Sequence, residues 1–256
     1  MTFRVLAALL GRDAHVARRE LPFLLVRTVL QPLLFAVVFG WLLPRLGLVA
    51  HGYAAALLPG ILAISIALSS LQAVALPMVT DFGFTREIED RLLAPVPTWI
   101  VALEKVLAGT LQGLATGIVV LPFALAATTS IETLTFSHAI AMLGIAALGA
   151  STFAALGLLL GTAIPAQHVA LVFSVVLAPM LFFGCAYYPW AGLAVVRPLQ
   201  IAVLANPLVY LSEGLRGTLT PSLPHMNLAL VAAVLAVAEA GFWLAGARSF
   251  DRRAIG

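Results

Sequence analysis

The sequence predicts an all-α integral membrane protein of six transmembrane helices, and two observations predict it. Of 256 residues, 62% are hydrophobic and only 10% charged, where soluble domains carry about a quarter charged. The apolar residues also fall into blocks separated by proline or polar punctuation. Each block has the length, about 20 residues, that crosses a ~30 Å hydrocarbon layer. No single soluble core hides this much apolar surface, so the bilayer is the expected solvent.

Residues 1–21 read as an amphipathic interfacial helix. On a helical wheel Phe3, Leu6, Leu10, Ala14 and Ala17 share one side, and Arg4, Arg12, His15 and Arg19 another. Such a helix lies among phospholipid headgroups with its basic side outward. Arg4, Arg12 and Asp13 interrupt the apolar run, so a cleaved signal peptide is not expected. Residues 22–80 hold spans one (22–43) and two (53–79). Residues 81–98 are a polar connection. Residues 99–185 hold spans three (99–127), four (138–164) and five (168–185). Residues 228–256 hold span six (228–247) and a short tail. The whole, 1–256, is expected to be one transmembrane domain.

Residues 186–227 are of another kind. Pro189, Pro198, Pro207, Pro221 and Pro224 cut them into apolar pieces too short to cross. Pieces of this length suggest re-entrant half-helices on the outer side. Tyr187, Tyr188 and Trp190 sit where an aromatic belt would anchor the end of span five.

Charge sets the expected orientation. With the N-terminus in the cytoplasm, six spans return the C-terminus there. The cytoplasmic side then holds eleven basic residues, and the outer side keeps Arg45, Arg197 and Arg216. That is the positive-inside bias.

The polar connection is Asp81-Phe82-Gly83-Phe84-Thr85-Arg86-Glu87-Ile88-Glu89-Asp90-Arg91-Leu92-Leu93-Ala94-Pro95-Val96-Pro97. Thr85 is suited to cap a short helix, and Pro95 and Pro97 end it. Ile88 and Leu92 share a side at i, i+4 spacing, with Leu93 beside them and charges around the rest. Physical chemistry alone leaves two readings open, a helix that docks into a groove of another protein and a solvated loop.

The run from Phe84-Thr85-Arg86-Glu87 through Leu92-Leu93-Ala94-Pro95-Val96-Pro97 resembles the cytoplasmic segment of ABC type-2 transporter permeases. A second stretch resembles the same family at the end of span five: Phe182-Phe183-Gly184-Cys185-Ala186-Tyr187-Tyr188-Pro189, Gln200, Asn206-Pro207-Leu208-Val209-Tyr210 and Leu215-Arg216-Gly217. The pattern is nearest to the daunorubicin-resistance type of drug exporter, although Glu89-Asp90-Arg91-Leu92 stands where Gly-Thr-Leu-Glu is usual. The resemblance implies a membrane-spanning subunit of an ATP-binding cassette exporter in the bacterial cytoplasmic (inner) membrane. It implies a coupling helix made by Arg86, Glu87, Ile88, Glu89, Asp90, Arg91, Leu92 and Leu93. It also implies an outer cap over the pathway that includes Tyr187, Tyr188, Pro189, Asn206, Pro207 and Arg216. The partners it implies are a second permease copy, identical or related, and two ABC ATPase subunits that bind ATP and Mg. Drug-like, lipid or glycan substrates are the family's range.

No Gly-x-x-x-x-Gly-Lys-Ser/Thr occurs, and Lys105, the only lysine, follows no glycine-rich loop. The chain is therefore expected to bind no nucleotide, no other cofactor and no nucleic acid, and to be no enzyme. His-Glu-x-x-His and Gly-x-Ser-x-Gly are absent as well. The single cysteine, Cys185, excludes an internal disulfide and a multi-cysteine metal site.

Ionisable residues inside spans are costly and mark candidates for function. Counted from the span ends, Glu239, Lys105 and Arg27 lie at similar depth, so Glu239 is expected to pair with Lys105 or Arg27. The pair either stabilises the bundle or rearranges during transport. Gly109, Gly113 and Gly117 in span three, and Gly157 and Gly161 in span four, recur at the spacing that lets helices approach closely; packing within the chain is the expected use. The alternative function is a non-ABC secondary carrier or an accessory membrane subunit. Secondary carriers commonly show internal repeats, and the two halves of this chain show no clear repeat.

Overall fold

The structure, a computed structural model, describes residues 34, 36–47, 53–85, 97–127 and 136–255. Its helices are α1 (Tyr53–Thr80), α2 (Thr98–Ala127), α3 (Phe136–Ala163), α4 (Val169–Phe182), α5 (Arg197–Ala202), α6 (Pro207–Leu219) and α7 (Leu228–Ile255). The described residues contain no strand. Of these helices α1, α2, α3 and α7 are long and apolar enough to cross a membrane. The interfacial helix expected at 1–21 and most of span one lie outside the described residues. The end of span one is helical over Ala36–Leu42 and Leu43–Arg45, and the Arg45 guanidinium stacks 4.1 Å over the Trp41 ring.

α1 is the centre of the bundle because glycines on two neighbours let it in. On α2, a Cβ at Gly109 would strike Val74, one at Gly113 would strike Ser70, and one at Gly117 would meet Ile66. On α3, a Cβ at Gly157 would strike the Leu71 carbonyl and one at Gly161 would crowd Ala75 and Met78. The expected small-residue stripes therefore serve packing inside the chain, both against the same helix. Contacts fall along α1 as α2 rises, so those two run antiparallel, whereas α3 rises with α1. α7 follows α3 in parallel: Thr152 donates to the Leu235 carbonyl at 3.3 Å, and Gly246 rests against Leu158 and Leu159.

Two expectations about span ends are corrected. Span five was expected to run to Cys185, but α4 has 14 residues and stops at Phe182. That is about 21 Å of helix. Cys185 then adopts a left-handed backbone (φ 52), which turns the chain away. The short helix still bridges the bundle with its flanking turns. Ala166, just before it, touches the Gly83 position, and Ala186, just after it, touches Gly60. These glycines stand 23 residues apart along α1 and its continuation, Asp81–Thr85, about 34 Å. Span six was expected to end at Ala247, but α7 continues unbroken to Ile255, so the tail carrying Arg248, Arg252 and Arg253 is helical.

α6 is buried over every residue from Leu208 to Leu219, packed among α1, α3 and α7. Leu211 fills the space left by Gly149, and Ile145 and Val231 close on Gly214. Its start follows from sequence: Asn206 caps it by accepting the Leu208 N–H at 3.0 Å, and Pro207 occupies the first turn, where a missing N–H costs nothing.

A Cβ at Gly60 would overlap the Ala186 carbonyl. Gly60→Ala is therefore expected to destabilise the protein by about 1–3 kcal/mol, read as a lower thermal midpoint in detergent. Gly241→Ala, with nothing within 4 Å, is the control and does not lower the midpoint.

Candidate functional site

Between α4 and α7 the chain is non-helical over 183–189 and 220–227, and in a bilayer such backbone survives only where protein satisfies it. α6 supplies the partners. Three carbonyls in the last turn of α4 and just after it each receive a side chain from α6 or its cap. Asn206 Nδ2 donates to Met180 O at 2.8 Å. Ser212 Oγ donates to Gly184 O at 2.5 Å. Arg216 Nη2 donates to Cys185 O at 3.0 Å, and reaches Ala56 O at 3.5 Å.

Glu213 does the complementary work for amides. Its Oε1 accepts the Trp190 N–H at 2.8 Å and its Oε2 accepts the Met226 N–H at 3.1 Å, so one carboxylate ties the segments before and after α6. Glu213 and Arg216 also form an ion pair one helical turn apart, both buried. The net charge of the network is thereby kept near zero in a place where a lone charge would be costly.

The aromatic residues after α4, Tyr187, Tyr188 and Trp190, pack partly buried against the core. Tyr53 OH donates to Tyr187 O at 3.0 Å, and Tyr188 OH to Phe182 O at 3.0 Å. Trp190 Nε1 donates to Gln200 O at 3.0 Å. Pro189, extended at φ −70 and ψ 145, opens the turn Trp190–Val195.

The structure thus gathers Tyr187, Tyr188, Pro189, Asn206, Pro207 and Arg216 in one region. Arg86, Glu87, Ile88, Glu89, Asp90, Arg91, Leu92, Leu93 and Arg27 lie outside the described residues. Of the expected intramembrane pair, the Arg27 alternative lies outside the described residues, and Glu239 and Lys105 are not brought together. Glu239 accepts a hydrogen bond from Ser151 Oγ on α3, whereas Lys105 Nζ stands 3.5 Å from Glu104 Oε2. The reason is register. Thr98 Oγ1 donates to Asp251 Oδ1 at 2.5 Å, which aligns the ends of α2 and α7. Lys105 lies seven residues from Thr98 and Glu239 twelve from Asp251, an offset of about 7.5 Å. Counting Glu239 from Ala247, short of the helix's true end, hid that offset.

A family model for ABC-2 type transporters matches residues 4–220. The chain belongs to this family. It is the membrane permease subunit of an ABC transporter. The permease is 30% identical over 224 residues to the inner membrane transport permease YadH of Escherichia coli strain K12, covering 82% of this chain and 81% of that protein. The YadH proteins of Escherichia coli O157:H7 and Shigella flexneri align to the same extent. No solved structure matches the permease.

Sequence reasoning missed Glu213, Glu104 and Ser151. For Glu213 the signal was present: a carboxylate three residues before an arginine on a helix shares its face. Ser151 looks like any small residue of an apolar helix and carried no signal.

Removing one partner of a buried ion pair typically costs about 3–5 kcal/mol. Arg216→Met in the permease is expected to cut membrane abundance sharply and lower the thermal midpoint. Adding Glu213→Gln is expected to recover part of the loss. A double variant that melts no higher than Arg216→Met would show that the unpaired carboxylate is not the source of the damage.

Proposed function

We propose that the permease is an export subunit with six crossings, its termini in the cytoplasm and a re-entrant α5–α6 segment that caps the pathway on the outer side. The observation that carries this reading is α6, a short helix buried end to end beside the beginnings of α1, α3 and α7. The backbone of a segment that dips into the membrane and returns needs partners of the kind Glu213, Arg216, Ser212 and Asn206 supply. Six crossings require span one, which leads into Ala36–Leu42, and α4 with its flanking turns, in addition to the four long helices.

At the opposite end, Arg86 to Leu93 form the coupling helix, with Ile88 and Leu92 as its apolar face toward an ATPase subunit. Two such subunits bind ATP and Mg and supply the hydrolysis, and this chain contributes no catalytic group. A second permease copy, identical or related, completes the pathway. The few polar groups in the described spans favour a drug-like, lipid or glycan cargo. The Glu239–Ser151 contact stabilises the α3–α7 seam.

Co-purification tests the reading. The tagged permease is expected to recover a nucleotide-binding ATPase in stoichiometric amount. Ile88→Asp with Leu92→Asp is expected to lower that recovery by about tenfold, the weight of losing two apolar anchors, at unchanged permease abundance. Unchanged recovery sinks the coupling assignment.

A further inference from the structure

Whatever pushes on the connection between α1 and α2 reaches the bundle through its two ends, the stretch Asp81–Thr85 and the start of α2 at Thr98. One element holds both. The Phe82 ring meets Phe250 of α7 edge to face, with centroids 5.5 Å apart, and the Arg253 guanidinium lies 5.2 Å from the same ring. Thr98 donates to Asp251 at 2.5 Å. Arg253 also donates to the Thr162 and Ile164 carbonyls at 2.9 and 3.1 Å. Those are acceptors left over at the end of α3, where a cation is favoured.

The joint is well packed. Phe250 is wholly buried in a small cluster of its own with Val74, Met78, Val106 and Leu158. Gly83 has no Cβ, and one there would strike Ala166 in the turn after α3. Three residues of one helical turn, Phe250, Asp251 and Arg253, thus join the ends of α1, α2 and α3, which otherwise touch mainly along their lengths. A rigid, hydrogen-bonded and close-packed joint transmits displacement instead of absorbing it.

We propose that the C-terminal turn of α7, through Phe250, Asp251 and Arg253, is a positioning brace that makes the ends of α1, α2 and α3 move as one body when the ATPase acts on the permease. The proposal rests on the exporter reading above. The brace residues contact neither nucleotide nor cargo; they act by holding Phe82, Thr98 and the end of α3.

The test uses the permease–ATPase complex in phospholipid nanodiscs. Hydrogen–deuterium exchange across residues 186–227 is compared without nucleotide and with ATP plus vanadate. Asp251→Leu and Arg253→Gln are expected to keep wild-type recovery of the ATPase and its hydrolysis rate. They are expected to shrink the nucleotide-dependent exchange difference by about tenfold, the weight of one charge-assisted hydrogen bond. Asp251→Asn keeps an oxygen acceptor for Thr98 and is expected to keep the difference. Should Arg253→Gln fail to accumulate, Phe82→Leu, which keeps apolar volume and removes the ring beside Arg253, carries the same expectation. A full difference in Asp251→Leu overturns the brace. So does loss of abundance in Asp251→Asn and Asp251→Leu alike, because α7 would then serve folding alone. A wild-type permease that recovers no ATPase sinks the exporter reading and this proposal with it.

Discussion

The ion pair between Glu213 and Arg216 lets an irregular stretch of chain lie inside the bundle. A backbone that leaves its helix at Phe182 and turns left-handed at Cys185 exposes carbonyls and amides that hydrocarbon cannot satisfy. Arg216 is suited to the carbonyls because its guanidinium has several donors in a fixed fork and no acceptor to satisfy. Glu213 is suited to the amides because a carboxylate offers two oxygens and only accepts. Each charge cancels the other; Arg216 bonds the Cys185 carbonyl, and Glu213 bonds the amides of Trp190 before α6 and Met226 after it. Without the pair, α6 would have no polar reason to sit where twelve of its residues are buried.

Around that network the long helices form a frame with one axis. α1 is gripped by glycine faces of α2 on one side and α3 on the other, and α7 lies along α3. Close helix approach through small residues gives extensive dispersion contact, the main attraction left to helices in lipid, where burial away from water drives little. The polar contacts cluster at the two ends of this frame, with α6 and its partners at one and the last turn of α7 at the other. The middle is held mainly by apolar packing, with the Glu239–Ser151 contact and hydroxyls such as Ser69 and Thr116, which bond each other at 2.7 Å, settled within it. A frame of this kind has tight material between two polar joints, an arrangement that suits a protein whose work is to relate the two faces of a membrane.

How far the architecture was legible varies by residue. The spans at 53–79, 99–127 and 138–164 were read within a few residues of α1, α2 and α3, because apolar length and proline punctuation are strong signals. The glycine spacing announced close packing, whereas the start of α6 went unread although Asn206-Pro207 carries cap chemistry. The end of α4 was misread, since Phe183-Gly184-Cys185-Ala186 continues the apolar run and nothing local shows the left-handed turn. The end of α7 was misread for the converse reason. Arg248, Asp251, Arg252 and Arg253 look like a solvated tail, yet Arg253 and Asp251 have partners on α3 and α2 that hold the helix together.

By itself, then, the sequence determined that the protein lives in a bilayer, how many apolar blocks it has, where prolines and caps interrupt them, and which family it resembles. These follow from composition and from spacing along one chain. The tertiary structure alone decided the partners across helices: Glu239 with Ser151, Asp251 with Thr98, and Arg216 with the Cys185 carbonyl. Pairing across helices depends on the register between them. That register is set by glycine contacts and terminal hydrogen bonds between residues up to 153 positions apart, a separation over which no local pattern carries information.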